Sequence, residues 1–159
     1  MPITIFSSVD PARGRVESRT QSGFRIPMDA DPSADDGRSA EPKEAILAAL
    51  ASCTAMDVAS ILRKKRQEAT RYEVAVSGES AEDHPRVFTS ITVEHRVEGA
   101  VGAEALRRSI ELSSTRYCPV SAMLSASVRI EHRYRLIDAG GAEAQALVAV
   151  TGPDGPRVL

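Results

Sequence analysis

The chain has 159 residues, 42% of them hydrophobic and 26% charged, enough for one folded domain that buries roughly two-thirds of its unfolded surface. A net charge of −2 and a pI near 5.9 exclude the basic footprint of a nucleic-acid-binding protein. Three Phe, three Tyr and no Trp leave a core of Ala, Val, Ile and Leu. No apolar run reaches the 18 or so residues of a membrane span, and MPITIFSSVDPARGR lacks a basic start followed by a long apolar stretch, so a cytoplasmic protein without membrane association is expected.

In chain order, residues 3–9 and 24–28 read as short strands, with a further strand around Val16. Residues 29–39, DADPSADDGRS, read as a loop. From Pro42 to Gln67 the sequence predicts a long central helix. Pro42 suits its first turn, and Ile46, Leu47, Leu50, Thr54, Val58, Ile61 and Leu62 recur at three- and four-residue steps. Its Ala-rich middle invites close approach by a sheet or a second subunit. The basic run Arg63-Lys64-Lys65-Arg66 reads as the last turn of that helix, where cations oppose the negative dipole end.

Residues 72–78 and 87–99 alternate like half-buried strands, and the polar EDHPR link predicts an antiparallel pair. A second amphipathic helix is expected at 102–114. After a break at SSTRY, a short third helix follows with Pro119 in its first turn. Residues 127–137 place Val128, Ile130, His132, Tyr134 and Leu136 on one strand face. Residues 1–138 are read as a single domain, and 139–159 as a Gly/Ala/Pro-rich tail, partly disordered. Strands segregated around a long helix give an α+β fold class.

Two cysteines in a reducing compartment are either small buried hydrophobes or reactive thiols. Cys118 precedes a Pro-initiated helix, whose positive end and open N–H groups favour thiolate. Cys53 sits mid-helix, where amides are already paired, so its reactivity requires a cation from elsewhere, with Arg the natural supplier. Asp57, one turn after Cys53, would oppose ionisation if it faced the thiol, and is expected to cap or pair elsewhere. His84 reads as a turn residue and His95 and His132 as strand-face residues. Their separation matches no zinc pattern, and neither a metal nor a cofactor is expected.

Three segments, PKEAILAALASCTAMDVASILRKKRQ, EDHPRVFTSITVEH and SSTRYCPVSAML, resemble the OsmC/Ohr family of osmotically inducible and organic hydroperoxide resistance proteins, in its divergent OsmC-like branch. The resemblance implies an intertwined homodimer with antiparallel sheets around paired central helices and sites at the interface. It also implies a thiol-dependent hydroperoxide reductase that uses no cofactor. Cys53 matches the peroxidatic cysteine and Cys118 the resolving cysteine. Organic hydroperoxides are the implied substrates, and a thiol reductant such as a dihydrolipoyl protein the implied electron donor. The family's supporting Glu stands ten positions before the peroxidatic cysteine. Here that position holds Lys43, and Glu44 is the candidate substitute, with a helix-start carboxylate as its other role. Of Arg13, Arg15, Arg19 and Arg25, Arg19 is taken as the catalytic arginine. Lys43 also keeps open a non-catalytic dimer that binds a small apolar ligand in the interface crevice.

Overall fold

The computed structural model describes residues 2–31, 33 and 38–159. Pro32, Ala34, Asp35, Asp36 and Gly37 of the expected 29–39 loop lie outside them. The chain divides into two compact units, Met1–Ile46 and Leu47–Leu159.

The first unit carries an antiparallel sheet of β1 (Phe6–Asp10), β2 (Arg15–Arg19) and β3 (Arg25–Met28), in that spatial order. The turns between them suit their residues. Asp10 Oδ1 accepts the Ala12 N–H at 3.0 Å, and Gly14 takes the left-handed φ of 70° that closes the first hairpin. Asp29 is buried against Arg15 Nε at 3.3 Å, and the Asp31 N–H with that guanidinium holds its carboxyl below the usual range.

The second unit is built on a five-stranded sheet ordered β4 (Glu68–Ser80), β5 (Phe88–Ala100), β6 (Arg129–Asp138), β7 (Glu143–Thr151) and β8 (Arg157–Val158). The expected β4–β5 antiparallel pair is present, but β5 and β6 run parallel, with Ile91 opposite Ile130 and Val93 opposite His132. Parallel neighbours need a crossover. Here it consists of α2 (Ala103–Leu112), one π turn (Ser113–Tyr117) and α3 (Pro119–Ser125). The sheet is therefore mixed, with one parallel pair among antiparallel neighbours. Residues 139–159 also differ from the expected tail, since they form β7 and β8. Their Ala-rich composition hid the strand signal, and Gly141 at φ 83° makes the β6–β7 turn.

The long helix α1 spans Pro42–Lys64 and buries Leu50, Thr54, Val58 and Leu62, one stripe at four-residue spacing. Val58 and Leu62 join Val97, Leu106, Ile110 and Leu136 in one core cluster, while Leu50 joins Ile91, Val93, Cys118 and Ile130 in another. By length and composition α1 could also cross a membrane, which the sequence reading had not allowed. Its buried stripe packs into the core, while the rest of its surface is half-buried or exposed. Ile46, expected in that stripe, is exposed. Leu106 is fully buried in the first cluster, so Leu106→Ala is expected to cost about 2–5 kcal/mol, read as a lowered denaturation midpoint at unchanged slope.

Candidate active site

The site grows out of α1 and the crossover. Cys53 and Asp57 are four residues apart on α1, so their side chains leave on one flank of the helix. Cys118 comes from the crossover. The π turn adds one residue to the helical path, with the Cys118 N–H reaching Ser113 O at 2.9 Å, and Cys118 becomes the N-cap of α3. The two sulfurs and one Asp57 carboxylate oxygen thereby all lie within 4.8 Å of one another.

The two thiols are free and unequal. Cys53 is half-buried, whereas Cys118 is only 2% exposed. The Ser121 N–H donates to Cys118 Sγ at 3.3 Å, the contact expected of a helix start, and it favours thiolate. Burial wins nevertheless. With the Cys53 sulfur and the Asp57 carboxylate alongside, it pushes the Cys118 thiol well above its ordinary range, opposite to the expectation from the helix end alone. Asp57 likewise departs from expectation. It pairs with Ser113, yet it also faces both thiols.

Asp57 is held by a buried polar chain. Ser113 Oγ donates to Asp57 Oδ2 at 3.0 Å, so at 3.0 Å it accepts from Thr54 Oγ1. Thr54 Oγ1 in turn accepts from His95 Nε2 at 3.4 Å, and His95 Nδ1 accepts from Tyr72 Oη at 2.7 Å. Every proton therefore points toward the carboxylate, which assigns His95 the neutral Nε2–H tautomer. Burial, reinforced by His132, holds His95 at about 3, and burial holds His132 at about 4. Burial and the Asp57 charge push Tyr72 up, so it remains a donor.

The remaining candidates lie in the first unit. Glu44 Oε2 accepts the Glu41 N–H at 2.9 Å, the side-chain half of a capping box at the start of α1. Among the arginines, Arg15 pairs with Asp29 and Arg25 with Glu17, while Arg19 is exposed on β2.

The sequence profile of OsmC-like proteins matches residues 35–133. The chain belongs to the OsmC family. It is 40% identical over 119 residues to protein YhfA of Escherichia coli K12, covering 74% of this chain and 87% of YhfA. Among solved structures it resembles a hypothetical protein of Aquifex aeolicus, 25% identical, with a TM-score of 0.76 over 87% of this chain and 98% of that one. It also resembles an organic hydroperoxide resistance protein OsmC of Legionella pneumophila, 11% identical, with a TM-score of 0.61 over 83% and 95%.

In this OsmC-family chain the sequence reading missed the roles of Thr54, Tyr72, His95 and Ser113. Thr54 occupies an apolar-spaced helix position, and His95 alternates with Val93 and Val97, so each carries a core signature. Only a polar residue recurring at otherwise apolar positions could have flagged them. Their burial sets a pH dependence. Both buried histidines titrate below the unfolded value of about 6.5, so their stability contribution is complete above it and is lost progressively as pH falls toward 4 and then 3. The urea midpoint is expected to drop between pH 7 and pH 5, before the carboxylates titrate; a flat midpoint over that interval would count against neutral buried histidines.

Proposed function

We propose that the chain is a two-cysteine hydroperoxide reductase, with the proximity of an accessible Cys53 and a buried Cys118 as the observation that carries the reading. The Cys53 thiolate attacks the distal oxygen of the hydroperoxide. The O–O bond breaks, the alcohol leaves with a proton, and Cys53 becomes a sulfenic acid. Cys118 sulfur then attacks Cys53 sulfur. The S–O bond breaks, a disulfide forms and water departs. A dithiol of the dihydrolipoyl class reduces the disulfide and returns both thiols. Closure brings the two sulfurs from within 4.8 Å to a bond of about 2.05 Å.

The second step places a demand on Asp57. Cys118 is a poor acid in its buried setting, so its attack needs a base, and Asp57 is the carboxylate beside it. In this reading Asp57 takes the Cys118 proton and passes it to the departing hydroxide. For the activating cation and its anchor the family resemblance gives Arg19 and Glu44 as the candidates. The Legionella protein's name points to the same substrate class.

A homodimer fits α1. Ala48, Ala49, Ser52, Met56 and Ala59 are exposed along one arc of about 100°, and Met56 is 68% exposed. Small residues around one Met form a face on which a second helix can approach closely. The second reading, a non-catalytic dimer that binds an apolar ligand, is favoured by the reluctance of Cys118 to ionise.

The test combines consumption of an organic hydroperoxide, with dihydrolipoamide as reductant, and intact mass after one equivalent of oxidant. Wild type is expected to lose two protons per chain, Cys118→Ser to stop at sulfenic acid, and Cys53→Ser to be inactive. Unchanged activity in Cys53→Ser overturns the assignment, and inert thiols with ligand-dependent melting support the second reading. Asp57→Asn is expected to slow disulfide closure at least tenfold while sulfenic acid still forms. Closure as fast or faster would leave Asp57 only a repelling charge. Met56→Glu is expected to shift the protein from dimer to monomer in light scattering.

A further inference from the structure

The group that surrounds the thiols has a second chemistry. Cys53, Cys118 and Asp57 offer two soft sulfurs and one hard oxygen within 4.8 Å of one another. A tetrahedral Zn²⁺ with Zn–S near 2.3 Å and Zn–O near 2.1 Å holds its ligand atoms about 3.5–3.8 Å apart, so from within 4.8 Å no pair has to contract by more than about 1.3 Å. The donors are also oriented. Asp57 Oδ2 accepts from Ser113 Oγ, which Thr54 fixes in turn, and a hydrogen-bonded ligand carboxylate of this kind is the outer-shell support that metal sites use. Cys118 Sγ is fixed by the Ser121 N–H. Cys53 is half-buried and gives an ion a way in.

We propose that the reduced protein binds one thiophilic divalent cation of the Zn²⁺ class through Cys53 Sγ, Cys118 Sγ and an Asp57 carboxylate oxygen, with the fourth position open. The ion displaces the thiol protons, which offsets the cost of ionising buried Cys118. Binding and disulfide formation exclude each other, because both use the same two sulfurs. Oxidation of the loaded site balances as two thiolates, one hydroperoxide and two protons giving disulfide, alcohol, water and the released cation. The ion then slows attack by the Cys53 sulfur and is released once oxidation to the disulfide is complete. This site does not depend on the hydroperoxide-reductase reading, since it needs only two reduced thiols and a carboxylate.

The experiment titrates the full-length reduced protein with Co²⁺ and then Zn²⁺. One Co²⁺ per chain is expected, with a sulfur-to-cobalt charge-transfer band and the visible bands of a tetrahedral ion, both abolished by Zn²⁺. Cys118→Ser and Asp57→Asn are expected to weaken binding at least tenfold. Asp57→Asn retains the shape and keeps the test independent of any folding defect in the cysteine variant. Zn²⁺ should slow alkylation of Cys53 at least tenfold, and diamide should release the ion to a chromogenic chelator. Absence of the charge-transfer band, or equal affinity in wild type and both variants, overturns the proposal. Cobalt binding by a protein that is inert to peroxide when metal-free would sink the reductase reading alone, and peroxide turnover without ion binding would sink the metal site alone.

Discussion

Ser113 Oγ holds two residues of α1 at once, accepting from Thr54 and donating to Asp57. That clasp joins the long helix to the crossover and fixes the distance between Cys53 and Cys118. Ser113 reaches it because it opens the π turn, where the helical path gains one residue and the next segment is re-aimed. The crossover itself exists because β5 and β6 are parallel. Buried groups of this kind are costly unless satisfied, so a satisfied chain specifies one arrangement. The cysteine pair is thus a consequence of sheet topology, transmitted through one hydroxyl.

The same chain explains why the two thiols differ. Cys118 sits among Leu50, Ile91, Val93 and Ile130, and its desolvation outweighs both the helix start and the Ser121 N–H. A helix terminus contributes on the order of 0.3–1 kcal/mol to a charge at exposed sites, whereas taking a charge into an apolar core costs several kcal/mol. Cys53 stands half-buried on the helix flank between the buried stripe and the small-residue face. One sulfur is consequently reachable from outside and the other is enclosed. Asp57 stands between the two roles. It is a base if the thiols are to close on each other, and a ligand if they are to close on an ion.

Much of this protein was legible in its sequence. Periodicity marked α1, the β4–β5 pair and the inward face of β6, because burial imposes a helical or alternating pattern wherever an element meets the core. The two cysteine contexts carried the family, and Pro119 marked the start of α3. The sequence did not reveal β7 and β8, since Ala packs in a sheet without the branched side chains that signal one. It also gave no sign that β5 and β6 run parallel, because both orientations bury the same alternating residues.

The company that each group keeps is set by tertiary contacts alone. Local reasoning put Asp57 away from the thiols and lowered the Cys118 pKa, since both inferences used only neighbours along the chain. Hydrogen bonds from Ser113, 56 positions on from Asp57, and from His95, 41 positions on from Thr54, reversed the first. Burial by strands from elsewhere in the chain reversed the second. The chemistry of a residue type is local. Its ionisation and its partners are set by contacts that the chain makes only once it has folded.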